Sequence, residues 1–140
     1  MTKSLAFNYF EVEQVITLHN NIISISSGLL GVLDRGRLES VLIHIQNDIY
    51  YPNLLEKLTH LVYSVIQNHA FVDGNKRTAL ACGAYFLGLN GYDKKIDNYL
   101  DIMEDVVVNV ASNQTTKQEL NLILEEIIYG KLVKKLPLIL

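Results

Sequence analysis

One segment decides how this chain is interpreted: His69-Ala70-Phe71-Val72-Asp73-Gly74-Asn75-Lys76-Arg77-Thr78. It places an imidazole, a carboxylate, a glycine turn and two cations where one apolar helical pattern ends and another begins. Most of these groups are unfavourable in a hydrophobic core, because burying a polar group without a hydrogen-bond partner costs free energy. The segment therefore predicts a functional site at the junction of two helices.

The two cations of this segment, Lys76 and Arg77, fall in the predicted first turn of the second helix. Cations there oppose the helix dipole at a cost of roughly 0.3–1 kcal/mol each. A bound anion would reverse that sign. The free N–H groups of a helix start, opened by Gly74 and flanked by two cations, are typical of a phosphate site.

The carboxylate and the imidazole complete the site. A carboxylate beside a phosphate repels it unless a divalent cation lies between them, and Mg²⁺ is commonly held by one or two carboxylates together with substrate phosphates. Asp73 is therefore a candidate Mg²⁺ ligand. His69 lies four residues upstream, where it would accept a proton from an incoming nucleophile.

Each of these residues also has an ordinary structural interpretation. His69 suits a helix C-terminus, Asp73-Gly74-Asn75 suits a turn with an N-cap, and Lys76 and Arg77 suit a solvated surface. For any one residue taken alone the structural interpretation is favoured. The ordered combination favours the functional one, because the structural one then needs several coincidences.

Helical periodicity dominates the rest of the chain. The predicted helices cover residues 8–22, 36–46, 54–68, 75–89, 98–111 and 115–129. Small residues crowd the fourth helix, which is typical of a central helix closely surrounded by others. Thr116-Lys117-Gln118-Glu119 predicts a capping box at the start of the sixth helix. The predicted fold class is an all-α compact bundle of about six helices.

Composition limits the classes of function. The 140 residues, 49% of them hydrophobic, suit one domain spanning 1–140. A net charge of −3 without a basic run in the body argues against a nucleic-acid partner. The single cysteine, the lack of a secretory pattern and the polar residues that interrupt the uncharged stretch 14–33 predict a cytoplasmic protein without membrane contact. Docking, partner binding and disorder all stay open for the tail 131–140.

The motif His69-x-Phe71-x-Asp73-Gly74-Asn75-Lys76-Arg77-Thr78-Ala79-Leu80 resembles the signature of the Fic/Doc superfamily in its death-on-curing (Doc) form. Residues 33–40 and 86–92 resemble the segments before that family's second helix and at the end of its central helix. The resemblance covers roughly residues 10 to 130, and the long ordered motif makes it specific. It implies a Fic/Doc-type helical bundle.

The resemblance also implies transfer of part of a nucleotide to a hydroxyl of a target protein. His69 would then be the general base, and Asp73 would hold Mg²⁺ on the nucleotide phosphates. Gly74, Asn75 and Lys76 would bind phosphate oxygens. Arg77 would add a contact where negative charge develops.

Two departures separate this chain from the AMP-transferring pattern. That pattern has a second glycine at the position of Lys76 and an arginine at the position of Leu80. Leucine cannot make a bidentate phosphate contact. The Doc form presents the γ-phosphorus of ATP to the hydroxyl instead, which implies a protein Ser/Thr phosphotransferase. The implied target is a threonine of elongation factor Tu, whose modification arrests translation.

Between the second and third predicted helices, Ile49-Tyr50-Tyr51 has strand-like residues. Resemblance to the family implies an extended flap that aligns the target peptide by strand addition. The alternative is a plain interhelical loop whose two tyrosines cover the core. The sequence alone does not separate the two.

The resemblance implies a toxin that an antitoxin inhibits in trans with an amphipathic helix. Three hypotheses follow for the function: a kinase toxin, an AMP (nucleotidyl) transferase that uses the same base and metal, and a catalytically silent binding module. The intact His69, Asp73, Asn75 and Arg77 argue against the third.

Overall fold

The computed structural model describes residues 6–130 and has six α-helices within them. In chain order they are α1 Val12–Ser26, α2 Arg35–His44, α3 Leu54–Gln67, α4 Asn75–Leu89, α5 Ile96–Ala111 and α6 Lys117–Tyr129. A short 3₁₀ helix, Asp93–Lys95, precedes α5. The predicted all-α fold is confirmed. The tail 131–140 lies outside the described residues.

Two helices form the centre of the bundle. The apolar stripe of α3 is buried, with Leu58, Leu61 and Val62 fully inaccessible. Helix α4 packs against α3, α1 and α5. Its small residues permit this close approach, as the sequence predicted. No helix within residues 6–130 has both the length and the apolar character that a membrane span requires.

The first helix lies four residues later than predicted. Asn8 lies before the helix and forms reciprocal hydrogen bonds with Asn90 at the end of α4: Asn8 N–H donates to Asn90 Oδ1 at 2.8 Å, and Asn90 Nδ2 donates to the Asn8 carbonyl at 3.1 Å. Glu11 is the N-cap, and Gln14 accepts a hydrogen bond from the Glu11 N–H. The residues before Val12 are therefore held by α4 and do not continue the helix.

Other helix boundaries follow local signals. Thr116 and Glu119 form the predicted capping box, with the Glu119 N–H donating to Thr116 Oγ1 at 3.1 Å. Because Thr116 is the cap, α6 begins at Lys117 rather than at 115. Helix α4 has the predicted bounds, 75–89, between Gly74 and Asn90.

Residues 48–51 form a turn, so the extended conformation predicted for Ile49, Tyr50 and Tyr51 is not observed. Asn47 is the cause: its Oδ1 accepts the N–H groups of Ile49 and Tyr50, and its carbonyl accepts that of Tyr51. The N–H groups of all three residues are already hydrogen-bonded, so none is free to pair with an added strand. A role for this segment in target binding stays a prediction.

The alternative interpretation of this segment holds for one tyrosine only. The Tyr51 ring stacks on His60 of α3, with centroids 4.3 Å apart, whereas the Tyr50 side chain is exposed. The fully buried Lys57 of α3 donates to Asp48 Oδ1 and to the Ile45 carbonyl, both at 2.7 Å. The start of the turn is thereby fixed to α3.

Gly83 allows α4 to approach α5. A Cβ atom at this position would lie 1.9 Å from the hydroxyl oxygen of the buried Tyr99 and 3.0 Å from Val62 Cγ2. We expect Gly83→Ala to lower the free energy of unfolding by about 1–3 kcal/mol, because overpacking forces the backbone or the buried ring to move. Denaturant unfolding measures the change.

Gly88 in the same helix is the matched control. A Cβ there would meet only Ile96 Cδ1, at 3.5 Å. Gly88→Ala is expected to raise stability by up to about 1 kcal/mol, because alanine is the better helix former. Equal stability changes for the two variants would contradict the close packing described at Gly83.

Candidate active site at the start of helix α4

The start of α4 is a sharp turn at Gly74, the N-cap residue. Its φ of 80° and ψ of 20° lie in the left-handed region that favours glycine. A Cβ here would also lie 3.1 Å from Ile23 Cδ1 and 3.5 Å from the ring of His19. The chain therefore turns into α4 while lying directly on α1. Helix geometry leaves the N–H groups of Asn75, Lys76 and Arg77 without intrahelical acceptors.

Asn75 shapes the loop before the helix. Its Nδ2 donates to the Phe71 carbonyl at 2.9 Å, and its Oδ1 accepts the Phe71 N–H at 3.1 Å. Phe71 itself is buried, as expected of a residue that anchors the loop. The amide of Asn75 is therefore engaged within the loop. Its backbone N–H is the group that remains for a phosphate oxygen.

The connection between α1 and α2 covers one side of the site loop. Val32 and Phe71 form an antiparallel β-bridge, and the Val72 N–H donates to the Gly31 carbonyl at 3.1 Å. The Leu33 N–H donates to the Ala70 carbonyl at 2.7 Å. This connection contains the glycines and serines that the sequence marked as a loop. Its backbone holds residues 70–72 in an extended path.

His69 lies between two fixed backbone positions, and its side chain is exposed. It follows the end of α3 and has a φ of 48°, as in a left-handed helix end. Arg37 Nη1 donates to the carbonyl of Asn68 at 2.6 Å, and the Ala70 carbonyl accepts from the α1–α2 connection. The exposed imidazole of His69 is thus attached to a backbone that is held on both sides.

The carboxylate of Asp73 accepts two backbone hydrogen bonds. The Gly74 N–H donates to Oδ1 at 2.8 Å, and the Leu29 N–H donates to Oδ2 at 3.1 Å. These bonds hold the pKa of Asp73 below its ordinary value of 3.8, and the bond from Leu29 has the larger effect. The charge of Arg77 lowers the pKa further. Asp73 is therefore ionised at neutral pH, as a metal ligand must be.

Gly28 makes the contact between Leu29 and Asp73 possible. A Cβ at Gly28 would lie 2.7 Å from Asp73 Oδ2 and 3.3 Å from Arg77 Nη2, and its φ of 137° suits glycine alone. Sequence reasoning assigned this loop no part in the site. The signal was weak, because a glycine in a loop is common and its partner lies far along the chain.

The two cations of the motif have different surroundings. Arg77 Nη1 donates to Ser26 Oγ and, at 3.0 Å, to the Ser27 carbonyl, while Nη2 lies 3.6 Å from Asp73 Oδ1. Arg77 thus joins the end of α1 to the site and keeps further N–H donors. Lys76 is exposed and takes part in none of the ion pairs formed within residues 6–130.

His19 is another residue of the site that sequence reasoning missed. The sequence treated it as a half-buried helix residue, but it is fully buried beneath the loop. Its Nε2 donates to the Asp73 carbonyl at 2.7 Å, and its ring stacks on Phe71 with centroids 3.8 Å apart. Its place on the apolar face of α1 gave no sign of a partner 54 residues away.

These residues fit a metal-bound phosphate. Two of the roughly four lone-pair positions of the ionised Asp73 carboxylate are used by N–H groups, which leaves the others for a cation. No group of three or more His, Cys, Asp or Glu side chains suited to a metal occurs within residues 6–130. One carboxylate together with substrate phosphates and water is a common way to bind Mg²⁺. The adjacent helix start suits the phosphates themselves.

The fold and site define a helical protein with a candidate phosphate site at a helix start and a candidate general base in the preceding loop. The profile of the Fic/DOC family matches residues 9–87. The chain belongs to this family. The match spans the site loop, α4 up to Leu87 and the covering α1–α2 connection.

Two curated relatives belong to the Doc branch. The chain is 37% identical to Toxin Doc of Mycolicibacterium smegmatis over 108 residues, which is 74% of this chain and 81% of the relative. It is 37% identical to Protein kinase doc of Escherichia phage P1 over 83 residues, which is 56% of this chain and 65% of the relative. The predicted resemblance to the Doc type is confirmed.

Substitutions of Asn75 and Lys76 distinguish a residue that holds the loop from one that only adds charge. Asn75→Ala is expected to cost about 1–3 kcal/mol of stability, because it leaves the N–H and carbonyl of the buried Phe71 without their partner. Lys76→Ala is expected to change stability by no more than about 0.5 kcal/mol, since Lys76 is exposed. Thermal and denaturant unfolding of both variants measure this. An Asn75→Ala protein as stable as Lys76→Ala would refute the structural role of Asn75.

Proposed function

We propose that this protein is a Doc-type toxin that transfers the γ-phosphate of a nucleoside triphosphate, ATP in the first instance, to a Ser or Thr hydroxyl of a target protein. The observation that carries the proposal is the joint placement of Asp73, the start of α4 and the exposed His69 at one junction. Membership of the Fic/DOC family and the kinase name of the phage relative support the reaction class.

In the proposed step, the hydroxyl oxygen of the target attacks the γ-phosphorus. A bond forms between these two atoms while the bond from the γ-phosphorus to the bridging oxygen breaks, and the nucleoside diphosphate leaves with that electron pair. His69 takes the hydroxyl proton. Positioning and charge stabilisation supply most of the acceleration in such transfers.

The other residues of the site bind and orient the triphosphate. The backbone N–H groups of Asn75, Lys76 and Arg77 would donate to phosphate oxygens, and Gly74, which has no side chain, would allow the close approach. The cations of Lys76 and Arg77 stabilise the charge that develops. Asp73 is the residue that would hold Mg²⁺, which when bound neutralises phosphate charge.

Leu80 favours phosphate transfer over AMP transfer. The AMP-transferring pattern has an arginine at this position, but Leu80 is partly buried and packs against the hydrophobic core. It supplies no charge to a phosphate. Lys76 adds an exposed cation where that pattern has glycine. An AMP (nucleotidyl) transferase remains the second candidate, because its base and metal ligand would be the same.

On the resemblance to Doc-type toxins, we propose elongation factor Tu as the target and arrest of translation as the outcome. We also propose that a separate antitoxin inhibits the protein in trans by placing a helix beside the site. The word toxin in the name of the Mycolicibacterium relative supports this pairing. Both assignments depend on the proposed reaction.

Mass spectrometry of the target tests the proposed reaction. We expect elongation factor Tu incubated with the protein, ATP and Mg²⁺ to gain one phosphate on a hydroxyl side chain. His69→Ala is expected to lower the rate by about 10²–10⁴-fold, because it removes the general base. His44→Ala is the matched control, since His44 is an exposed histidine at the end of α2, away from the motif.

A gain in mass of one nucleotidyl group would establish the second candidate instead. Equal rates for the wild type and His69→Ala would contradict the assignment of the base. A target that stays unmodified in the presence of wild-type protein, with no other protein of the extract labelled by γ-labelled ATP, would contradict phosphate transfer altogether.

A further inference from the structure

We propose that His19 is a positioning residue that sets the direction of the Asp73 carboxylate and thereby the binding of the metal–triphosphate. The inference rests on the proposed function, because it concerns the same site. His19 belongs to α1, and its partners belong to the loop before α4, so the contact crosses two elements.

The His19 ring contacts the loop in two ways. One edge donates from Nε2 to the Asp73 carbonyl at 2.7 Å, and one face lies parallel to the Phe71 ring at an interplanar angle of 4°. A carbonyl oxygen only accepts, so Nε2 carries a proton. The residue is completely buried, where a polar group is retained only with a partner. The Asp73 carbonyl oxygen is the partner of Nε2, and Nδ1 lies 3.1 Å from Asn20 Oδ1.

One rigid peptide group, between Asp73 and Gly74, connects the hydrogen bond of His19 to the Asp73 carboxylate. The Asp73 carbonyl and the Gly74 N–H belong to the same planar peptide group and point in opposite directions. His19 binds the carbonyl side, and the N–H side donates to Asp73 Oδ1 at 2.8 Å. When His19 fixes the peptide plane, it fixes the donor that orients the carboxylate.

The same plane also determines how α4 begins. Gly74 adopts its left-handed conformation immediately after this peptide group, and the N–H groups proposed to bind phosphate follow it. A rotation of this peptide plane would both turn Asp73 Oδ1 away and change the φ of Gly74. Loss of the His19 donor is therefore expected to weaken binding of the metal and of the phosphates as one event.

Two substitutions separate the donor of His19 from its packing. His19→Phe keeps an aromatic ring that can stack on Phe71 but has no donor. His19→Gln keeps an N–H donor of similar reach but loses the ring face. If His19 only fills the core, His19→Phe should retain more of the wild-type properties than His19→Gln. If His19 acts as a positioning donor, His19→Gln should retain more of the Mg²⁺–ATP affinity.

Calorimetry with ATP in the presence of Mg²⁺, and again in EDTA, provides the readout on the full-length chain, with the melting temperature of each variant measured alongside. We expect His19→Phe to lower the Mg²⁺-dependent affinity by roughly 10–100-fold, as loss of a residue that orients a metal ligand typically does. His19→Gln is expected to retain most of that affinity even where its melting temperature is the lower of the two.

Wild-type affinity in His19→Phe would overturn the inference, and so would loss of Mg²⁺-dependent affinity in a folded His19→Gln. If His19→Phe does not fold, the result for His19→Gln alone decides in the same way. A wild-type protein that binds no Mg²⁺–ATP would overturn the proposed function itself. The failure of one proposal is thus distinguishable from the failure of the other.

Discussion

The peptide group between Asp73 and Gly74 is the constraint on which the site depends. Its carbonyl is bound by the buried His19 of α1, and its N–H is bound by the carboxylate of Asp73. The left-handed turn that follows starts α4 directly against Ile23 of α1. A flexible loop could not hold a carboxylate and a row of helix N–H groups in one relative geometry. Here the bundle itself supplies that rigidity.

The site keeps features that oppose folding. Two cations lie in the first turn of α4, and the N–H groups of that turn have no intrahelical acceptors. The surrounding structure offsets these costs, because α4 buries Ala79, Cys82, Phe86 and Leu87 against the core. Asp73 supplies an opposing charge, with its Oδ1 at 3.6 Å from Arg77 Nη2. A bound triphosphate would supply further negative charge beside these cations.

Several features set by residues close together in the sequence were predicted, whereas those set by residues far apart in the sequence were not. The bounds of α4 follow from Gly74 and Asn90, which act locally, and they were predicted correctly. The predictions of the start of α1 and of an extended conformation for residues 49–51 were wrong. The side-chain amides of Asn90 and Asn47 bind backbone groups there, and the hydrophobic periodicity does not reveal such bonds. His19 was missed because its partner is remote in sequence. The ordered motif does lie at the junction of α3 and α4, and the roles assigned to His69, Asp73 and the helix start stay predictions.

The proposed reaction requires a triphosphate to bind at the amino end of α4. Two-dimensional ¹⁵N–¹H NMR of the full-length protein during titration with Mg²⁺–ATP tests it most directly. We predict that the largest and saturable amide shifts fall on Asn75, Lys76 and Arg77, with smaller ones on Leu29 and His69, and that EDTA weakens the binding. Saturable shifts confined to other helices, or no shifts at millimolar nucleotide, would contradict the claim.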